Sequence, residues 1–150
     1  EGGSRMVETV QTLTEAGIPV VGHIGLTPQS VHQLGGYRVQ GRGDAAEQLL
    51  QDALALEAAG ACAIVLEVVP QELAKQVTEA LQIPTVGIGA GAATDAQVIV
   101  WQDLLGLTGG ALPKFVKPYA NLREVFASAS DAWANDVASG AYPTAEQSYN

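Results

Sequence analysis

A single glutamate interrupts a strongly apolar run, ACAIVLEVVP at residues 61–70. Short β-branched runs of this kind are typical of strands buried on both faces of a parallel sheet. An ionised carboxylate in such a place is unfavourable by about several kcal/mol unless a partner stabilises it. Glu67 is therefore a candidate general base, a role for which enzymes use buried carboxylates. The alternative is a Glu67 that reaches solvent just beyond the end of its strand.

Two other residues with suitable chemistry fall at the ends of predicted strands. His23 ends an apolar segment between two glycines, where it is either a catalytic residue or an ordinary core or surface histidine. Glu1 precedes two glycines and would stand at the end of another strand. Together, Glu1 and Glu67 would bring two carboxylates to one edge of a sheet. Carboxylates there either bind a hard cation such as Mg²⁺ or move protons.

A glycine-rich turn, GIGAG at residues 87–91, follows the next predicted strand. It lacks the third glycine of the dinucleotide-binding fingerprint, which also belongs to the first strand of a βαβ unit. We therefore interpret it as a turn that lets the backbone approach a ligand closely, with Gly89 and Gly91 as candidate substrate contacts. Asp103 either faces the site or caps the following turn. His32 has no such context and is assigned a structural role.

The elements that must position these residues alternate along the chain. Apolar spacing and stop signals predict strands, helices, a short helix with Thr27 as its N-cap and a long loop at residues 34–43. We expect a capping box of Asp44 and Glu47 to open the second long helix. The predicted strands cover residues 18–24, 61–67, 84–89 and 98–103, and the predicted helices cover residues 7–16, 44–59, 70–81 and 122–139.

Alternation of apolar strands with helices predicts an α/β protein with a parallel sheet. Each predicted strand delivers its unusual residue at its C-terminal end, where (β/α)₈ barrels assemble their active sites. An open doubly wound sheet would bind only near a topological switch point, so we favour the TIM-type barrel. A complete barrel takes about 250 residues. The 150 residues of this chain are thus expected to form roughly its second half.

The composition excludes several other functions. Seven basic and sixteen acidic residues give a net charge of −9, and no basic patch with interleaved aromatics is present. Nucleic acid and anionic membranes are therefore not expected partners. A single cysteine, Cys62, is predicted to be a small core side chain. This cysteine usage and the absence of an apolar run of about 20 residues favour a cytoplasmic protein.

Several motifs together closely resemble the ketopantoate hydroxymethyltransferase family. They are GHIGLTPQS at residues 22–30, GGYRVQGR at 35–42, LEVVP at 66–70, IPTVGIGAG at 83–91 and GGALPKFVK at 109–117. The resemblance covers essentially the whole chain. It implies that residues 1–150 run from the end of the fourth barrel strand through the eighth strand and a C-terminal helix, as part of one catalytic domain.

The resemblance also implies an activity, in which a one-carbon unit passes from 5,10-methylenetetrahydrofolate to 3-methyl-2-oxobutanoate to give 2-dehydropantoate. Glu67 matches the family's base for the C3 proton, Glu1 a glutamate in the coordination sphere of Mg²⁺, and His23 a histidine near the substrate. Two aspartates that carry the metal and a lysine that contacts the oxo acid lie upstream of Glu1 in the family. We therefore expect the chain alone to be inactive, and the family's cytoplasmic homo-oligomers to be its assembly.

Two alternatives remain open at this point. One is another metal-dependent 2-oxo acid barrel, of the phosphoenolpyruvate mutase and isocitrate lyase kind, although Cys62 does not lie in a catalytic loop as their lyases require. The other is a non-catalytic half-barrel that serves as a binding or assembly module. The presence of both Glu67 and Glu1 weighs against such a module.

Overall fold

The computed structural model describes residues 1–149, and the chain divides into two compact units, Glu1–Val98 and Ile99–Asn150. The first unit alternates helices and strands, as the sequence predicts. Its elements are α1 (Val7–Glu15), β1 (Val21–Gly25), α2 (Ala45–Ala58), β2 (Ala63–Glu67), α3 (Gln71–Ala80), β3 (Thr85–Ile88) and β4 (Ala96–Gln97), with 3₁₀ turns at Ser4–Met6 and Pro28–Ser30.

The strands form one parallel sheet in the order β1-β2-β3-β4. Gly25 at the end of β1 pairs with Glu67 at the end of β2, and Glu67 in turn pairs with Ile88 at the end of β3. The C-terminal ends of three strands therefore meet in register at one edge of the sheet. The α/β class with a parallel sheet, predicted from the apolar runs, is confirmed.

One face of this sheet carries the hydrophobic core. Ile64 and Leu66 of β2 are fully buried, and they belong to one cluster with apolar residues of α2 and α3 such as Leu56 and Val77. The residues that alternate with them, including Val65, are only half-buried. The expectation that β2 is buried on both faces is therefore wrong, because the helices of this chain cover only one of them.

The last predicted strand is also wrong. The sheet ends with the two-residue strand β4, and residues 98–103 do not continue it. The Val98 N–H still donates to the Gly87 carbonyl at 3.0 Å. Beyond it the chain enters a short helix, α4 (Trp101–Leu104), in which the Leu104 N–H donates to the Val100 carbonyl. The apolar residues of this segment are largely exposed, so no burial favours an extended strand.

The second unit contains α4, a long helix α5 (Leu122–Ser139) and a 3₁₀ turn at Ala145–Gln147. The predicted bounds of α5 are confirmed: Asn121 accepts a hydrogen bond from the Glu124 N–H at its start, and Gly140 ends it in the left-handed conformation. By contrast, Asp44 precedes α2 without a side-chain cap, so the predicted capping box is wrong. No helix within residues 1–149 has the length and hydropathy needed to cross a membrane.

Candidate active site

Three of the predicted site residues meet at the C-terminal edge of the sheet. His23 lies between two carboxylates, with Nε2 3.0 Å from Glu67 Oε2 and Nδ1 3.4 Å from Glu1 Oε1. The side chains of His23, Glu67 and Glu1 are 20%, 16% and 29% exposed, so the group is partly shielded from water but open on one side. The predicted convergence of Glu1 and Glu67 is therefore present, with the imidazole between them.

The geometry of the His23 contacts is uneven. Nε2 is buried and close to Glu67, yet its hydrogen does not point at any acceptor well enough for an aligned hydrogen bond. The attraction to Glu67 is therefore mainly electrostatic when the imidazole is protonated. A side chain this close to the base is suited to hold the carboxylate of Glu67 in place.

Burial raises the pKa of the Glu67 carboxyl above its ordinary value, because loss of water disfavours the charged form. The neighbouring His23 works in the opposite direction and lowers the pKa, while the negative charge of Glu1 adds a smaller increase. The net direction is upward. A carboxylate with a raised pKa is a stronger base, which is what proton removal from carbon requires.

The backbone around Glu67 explains how its position is fixed. The Leu26 N–H donates to the Glu67 carbonyl at 2.8 Å. Gly25 has a positive φ of 93°, and a Cβ at this position would overlap the same carbonyl. The GHIG segment thus supplies the imidazole of His23. It also supplies Gly25, which has no side chain and therefore lets the end of β1 approach the Glu67 carbonyl of β2.

Glu1 is held to the edge strand by its neighbours. The Gly2 N–H donates to the His23 carbonyl at 3.0 Å. The Gln29 side-chain amide lies against the Glu1 carboxylate, and with its nitrogen turned towards Glu1 it donates to that carboxylate. Gln29 was not singled out from the sequence, although its place in a 3₁₀ turn directly after β1 could have suggested it. The described residues contain no group of three His, Cys, Asp or Glu side chains that could hold a metal ion.

The two candidate glycines follow β3 and both have positive φ, 65° at Gly89 and 80° at Gly91. Gly91 has a packing reason for being glycine, since a Cβ there would meet the Gln71 side chain at 2.5 Å. Its carbonyl is also occupied by the Gln97 amide at 3.0 Å. Gly89 lies next to Ile88 at the site edge. The role of both glycines in substrate binding stays a prediction.

Other candidates have structural explanations. Asp103 lies in α4 and accepts a hydrogen bond from the Thr108 hydroxyl at 2.5 Å, in agreement with the capping alternative. Cys62 precedes β2, at the opposite end from Glu67, and its thiol donates to the Val20 carbonyl at 3.3 Å. Cys62 is exposed, so its assignment to the core is wrong.

The sequence analysis missed Val68, which directly follows Glu67 and has a φ of 50°. Nothing in its type could have indicated this, because valine rarely adopts the left-handed conformation. It also missed Gln40, whose N–H donates to the Val68 carbonyl at 2.9 Å. Both residues contribute through their backbone, which a reading of side-chain chemistry does not consider.

Comparison with known proteins gives a consistent result. The sequence model of the family described as ketopantoate hydroxymethyltransferase matches residues 1–145. Similar proteins named 3-methyl-2-oxobutanoate hydroxymethyltransferase occur in Frankia casuarinae (64% identity), Acidothermus cellulolyticus (64%) and Streptomyces avermitilis (62%). Each alignment spans 149 residues, 99% of this chain and 50%, 55% and 52% of the respective relatives.

The fold and the site define an α/β protein with a parallel sheet and a histidine-paired carboxylate where its strands end. Its sequence makes the assignment more specific, because both the family model and the relatives cover nearly all of it. The chain belongs to the ketopantoate hydroxymethyltransferase family. It spans about half the length of the curated relatives that it matches.

Proposed function

We propose that this chain carries the proton-abstracting part of a 3-methyl-2-oxobutanoate hydroxymethyltransferase. The reaction transfers a one-carbon unit from 5,10-methylenetetrahydrofolate to 3-methyl-2-oxobutanoate and gives 2-dehydropantoate. The names of the relatives support the hydroxymethyl transfer to this oxo acid. The folate co-substrate follows from the family resemblance of the sequence.

The observation that carries this proposal is the partly buried Glu67, with a raised pKa, in contact with His23. A C–H bond next to a carbonyl is weakly acidic, so its base must be strong and shielded from water. Glu67 takes the proton from C3, and the electron pair of that bond becomes the enolate, with negative charge on the C2 oxygen. Water breaks the two C–N bonds of 5,10-methylenetetrahydrofolate, so that the folate nitrogens take its two protons and the carbon is released at the oxidation level of formaldehyde. C3 of the enolate attacks this carbon, and its oxygen, which comes from water, takes the proton from Glu67 and becomes the new hydroxyl.

We assign supporting roles to the surrounding residues. His23 keeps the Glu67 carboxylate in place, with Nε2 3.0 Å from Glu67 Oε2. A contact of His23 with the oxo acid stays a prediction from the family resemblance. Glu1 holds the other side of the imidazole through Nδ1. Gly89 and Gly91 are proposed to let the backbone approach the substrate, although the packing of Gly91 on Gln71 already accounts for that glycine.

Mg²⁺ is proposed as the cofactor, and bound Mg²⁺ would stabilise the negative charge of the enolate. The fit of this chain to the ion is only partial. Glu1 supplies one oxygen ligand of the right kind, whereas Mg²⁺ requires near-octahedral oxygen coordination, and residues 1–149 hold no cluster of three ligating side chains. No step is therefore derived through the metal.

We propose that the parallel sheet is part of a (β/α)₈ barrel, with its half-buried face turned inward. Two observations support this: the helices cover the opposite face, and the half-buried face carries His23, Val65 and Glu67. In a barrel, that face would line the interior and lead to the site at the strand ends. A cytoplasmic location and homo-oligomeric assembly remain predictions from the family resemblance.

The decisive experiment measures proton removal separately from carbon transfer. Deuterium exchange at C3 of 3-methyl-2-oxobutanoate is followed by ¹H NMR in D₂O without folate. We would test this chain and a chimera in which it replaces the matching half of the Acidothermus cellulolyticus relative. We expect exchange in the chimera, which Glu67→Gln slows about 10²- to 10⁴-fold, while Glu79→Gln, on the exposed surface of α3, leaves it unchanged.

Addition of 5,10-methylenetetrahydrofolate tests the second step. We expect 2-dehydropantoate only when the folate is present, whereas a lyase or mutase of the related oxo acid barrels would act without it. Exchange that is equally fast in Glu67→Gln would contradict the assignment of the base. Absence of exchange in both the chain and the chimera would favour a non-catalytic module.

A further inference from the structure

The residue directly after Glu67 has a backbone conformation that its type rarely adopts. Val68 has a φ of 50° and is the one non-glycine residue with positive φ among residues 1–149. In the left-handed region the Cβ atom crowds the following carbonyl oxygen, and a β-branched residue there is an outlier. Such conformations persist only where the surrounding structure imposes them, and they concentrate at functional sites.

Three backbone hydrogen bonds from three different segments impose this conformation. The Leu26 N–H, just after β1, donates to the Glu67 carbonyl at 2.8 Å. The Val68 N–H donates to the Ile88 carbonyl at the end of β3, also at 2.8 Å. The Gln40 N–H, in the long loop before α2, donates to the Val68 carbonyl at 2.9 Å.

The left-handed turn has a direct consequence for the site. It ends β2 immediately after Glu67 and leads into Val69, which is 3% exposed and belongs to the core. Pro70 then precedes α3 as its N-cap residue, with a φ of −56° that its ring fixes. The end of β2, a core residue and the start of α3 thus lie within four residues of one another, which leaves little freedom in the direction of the Glu67 side chain.

We propose that Val68 is a positioning residue, whose strained turn, held by the Gln40 N–H, fixes the direction in which Glu67 presents its carboxylate beside His23. This inference rests on the proposed function, because the step it serves is proton removal by Glu67. It also gives the loop at residues 34–43 a role in the reaction that requires only its backbone.

Removal of one backbone donor tests the proposal at a distance from Glu67. Gln40→Pro eliminates the N–H that holds the Val68 carbonyl, and Gln40→Ala keeps that N–H and serves as the matched control. In the more active of the chain and the chimera, we expect Gln40→Pro to lower the maximal rate of C3 deuterium exchange about tenfold, with KM within about twofold. Gln40→Ala should exchange at the original rate. Equal rates in the two variants would overturn the proposal.

The strain itself predicts a rescue. Without the hydrogen bond from the Gln40 N–H, Val68 can relax out of the unfavourable left-handed conformation. Glycine at this position adopts that conformation without a steric penalty. Val68→Gly alone should exchange within about threefold of the unaltered protein, and it should restore the Gln40→Pro variant to a similar rate. A merely structural role for Gln40 predicts no rescue, so a double variant as slow as Gln40→Pro refutes the inference.

A stability comparison decides the matter if Gln40→Pro fails to fold. Val68→Gly and Val68→Ala remove nearly the same side chain, but only glycine escapes the left-handed penalty. We expect the glycine variant to unfold at the higher temperature. The same pair at Val65, within β2, should show the opposite order, since glycine weakens ordinary strands. A higher unfolding temperature for Val68→Ala would overturn the inference.

These outcomes separate the two proposals. If the unaltered protein catalyses no C3 exchange, the proposed function fails, and the order of the Val68 variants still shows whether the turn is strained. If exchange occurs and depends on Glu67 but is the same in Gln40→Pro and Gln40→Ala, the proposed function stands and the positioning role of Val68 is refuted.

Discussion

The replacement Glu67→Gln is expected to make the protein more stable while it removes the base. Glutamine keeps the shape of the side chain but carries no charge that must leave water. Burial is the main cause of the raised pKa of Glu67, so the ionised carboxylate is less favourable in the folded chain than in the unfolded one. Its side chain is 16% exposed, and solvent therefore screens this penalty only in part.

The sign of the pH dependence follows from linkage. Between the ordinary pKa of 4.5 and the raised pKa of the folded state, the native chain binds a proton that the unfolded chain has released. The stability of the Glu67 protein therefore falls as the pH rises through this interval. The net upward direction already includes the attraction to His23, so the charge of Glu67 is unfavourable for folding even with its partner present. We therefore expect Glu67→Gln to be the more stable protein at pH 7.5, with a gain that shrinks as the pH falls through the raised pKa and disappears below about pH 4.5.

Urea unfolding of both proteins at pH 4.0, 5.5 and 7.5 measures this difference. Glu79→Gln is the control, because Glu79 is exposed and forms only an i,i+4 pair with Lys75 at 3.8 Å, which is worth about 0.3–0.5 kcal/mol. The control should change stability little at every pH. A gain for Glu67→Gln that is the same at pH 4.0 and 7.5, or a loss at pH 7.5, would refute the electrostatic account of this residue.

Three further predictions concern the scaffold, and urea or thermal unfolding checks each of them. Leu56→Ala, at a side chain that is 1% exposed, should lower the free energy of unfolding by about 2–5 kcal/mol, whereas Leu13→Ala, at a 36% exposed position, should lower it by less than about 1 kcal/mol. Asp95 accepts hydrogen bonds from the Thr85 N–H and hydroxyl, the main causes of its lowered pKa. Asp95→Asn should therefore destabilise the protein at pH 7, with a difference that shrinks as the pH falls through the lowered pKa. Asn121→Ala removes the N-cap of α5 and should destabilise that helix by about 1 kcal/mol, visible as reduced helicity on heating; an unchanged melting curve would contradict the cap assignment.

The features that the sequence predicts well are those that local chemistry determines. Glu67 stands out because β-branched neighbours predict a strand, and the parallel register then brings it to the same edge as His23. The bounds of α5 follow from the cap at Asn121 and from Gly140, whose φ of 75° ends the helix. The residues that determine the strand of Glu67 and the ends of α5 thus lie within a few positions of those elements in the sequence.

The features that were predicted wrongly depend on what covers a residue. An apolar run indicates burial but not against which partner, so β2 was expected to have two buried faces and has only one. The same reasoning predicted a strand at residues 98–103. The apolar side chains there are largely exposed, and the chain forms α4 instead. The strained turn at Val68 lies beyond prediction for a related reason, because hydrogen bonds from distant segments impose it against the preference of valine.

The two faces of the sheet have different physical roles, and this separates the effects of substitutions. The face packed against α2 and α3 holds the fully buried Ile64 and Leu66, which supply stability. The opposite face holds His23 and Glu67, where a partly buried charge and an adjacent strained turn both oppose stability. Groups that are unfavourable for folding persist where function requires them. Substitutions on the helix-packed face should therefore shift the unfolding free energy with little change in the pKa of Glu67, whereas substitutions at His23 should raise that pKa.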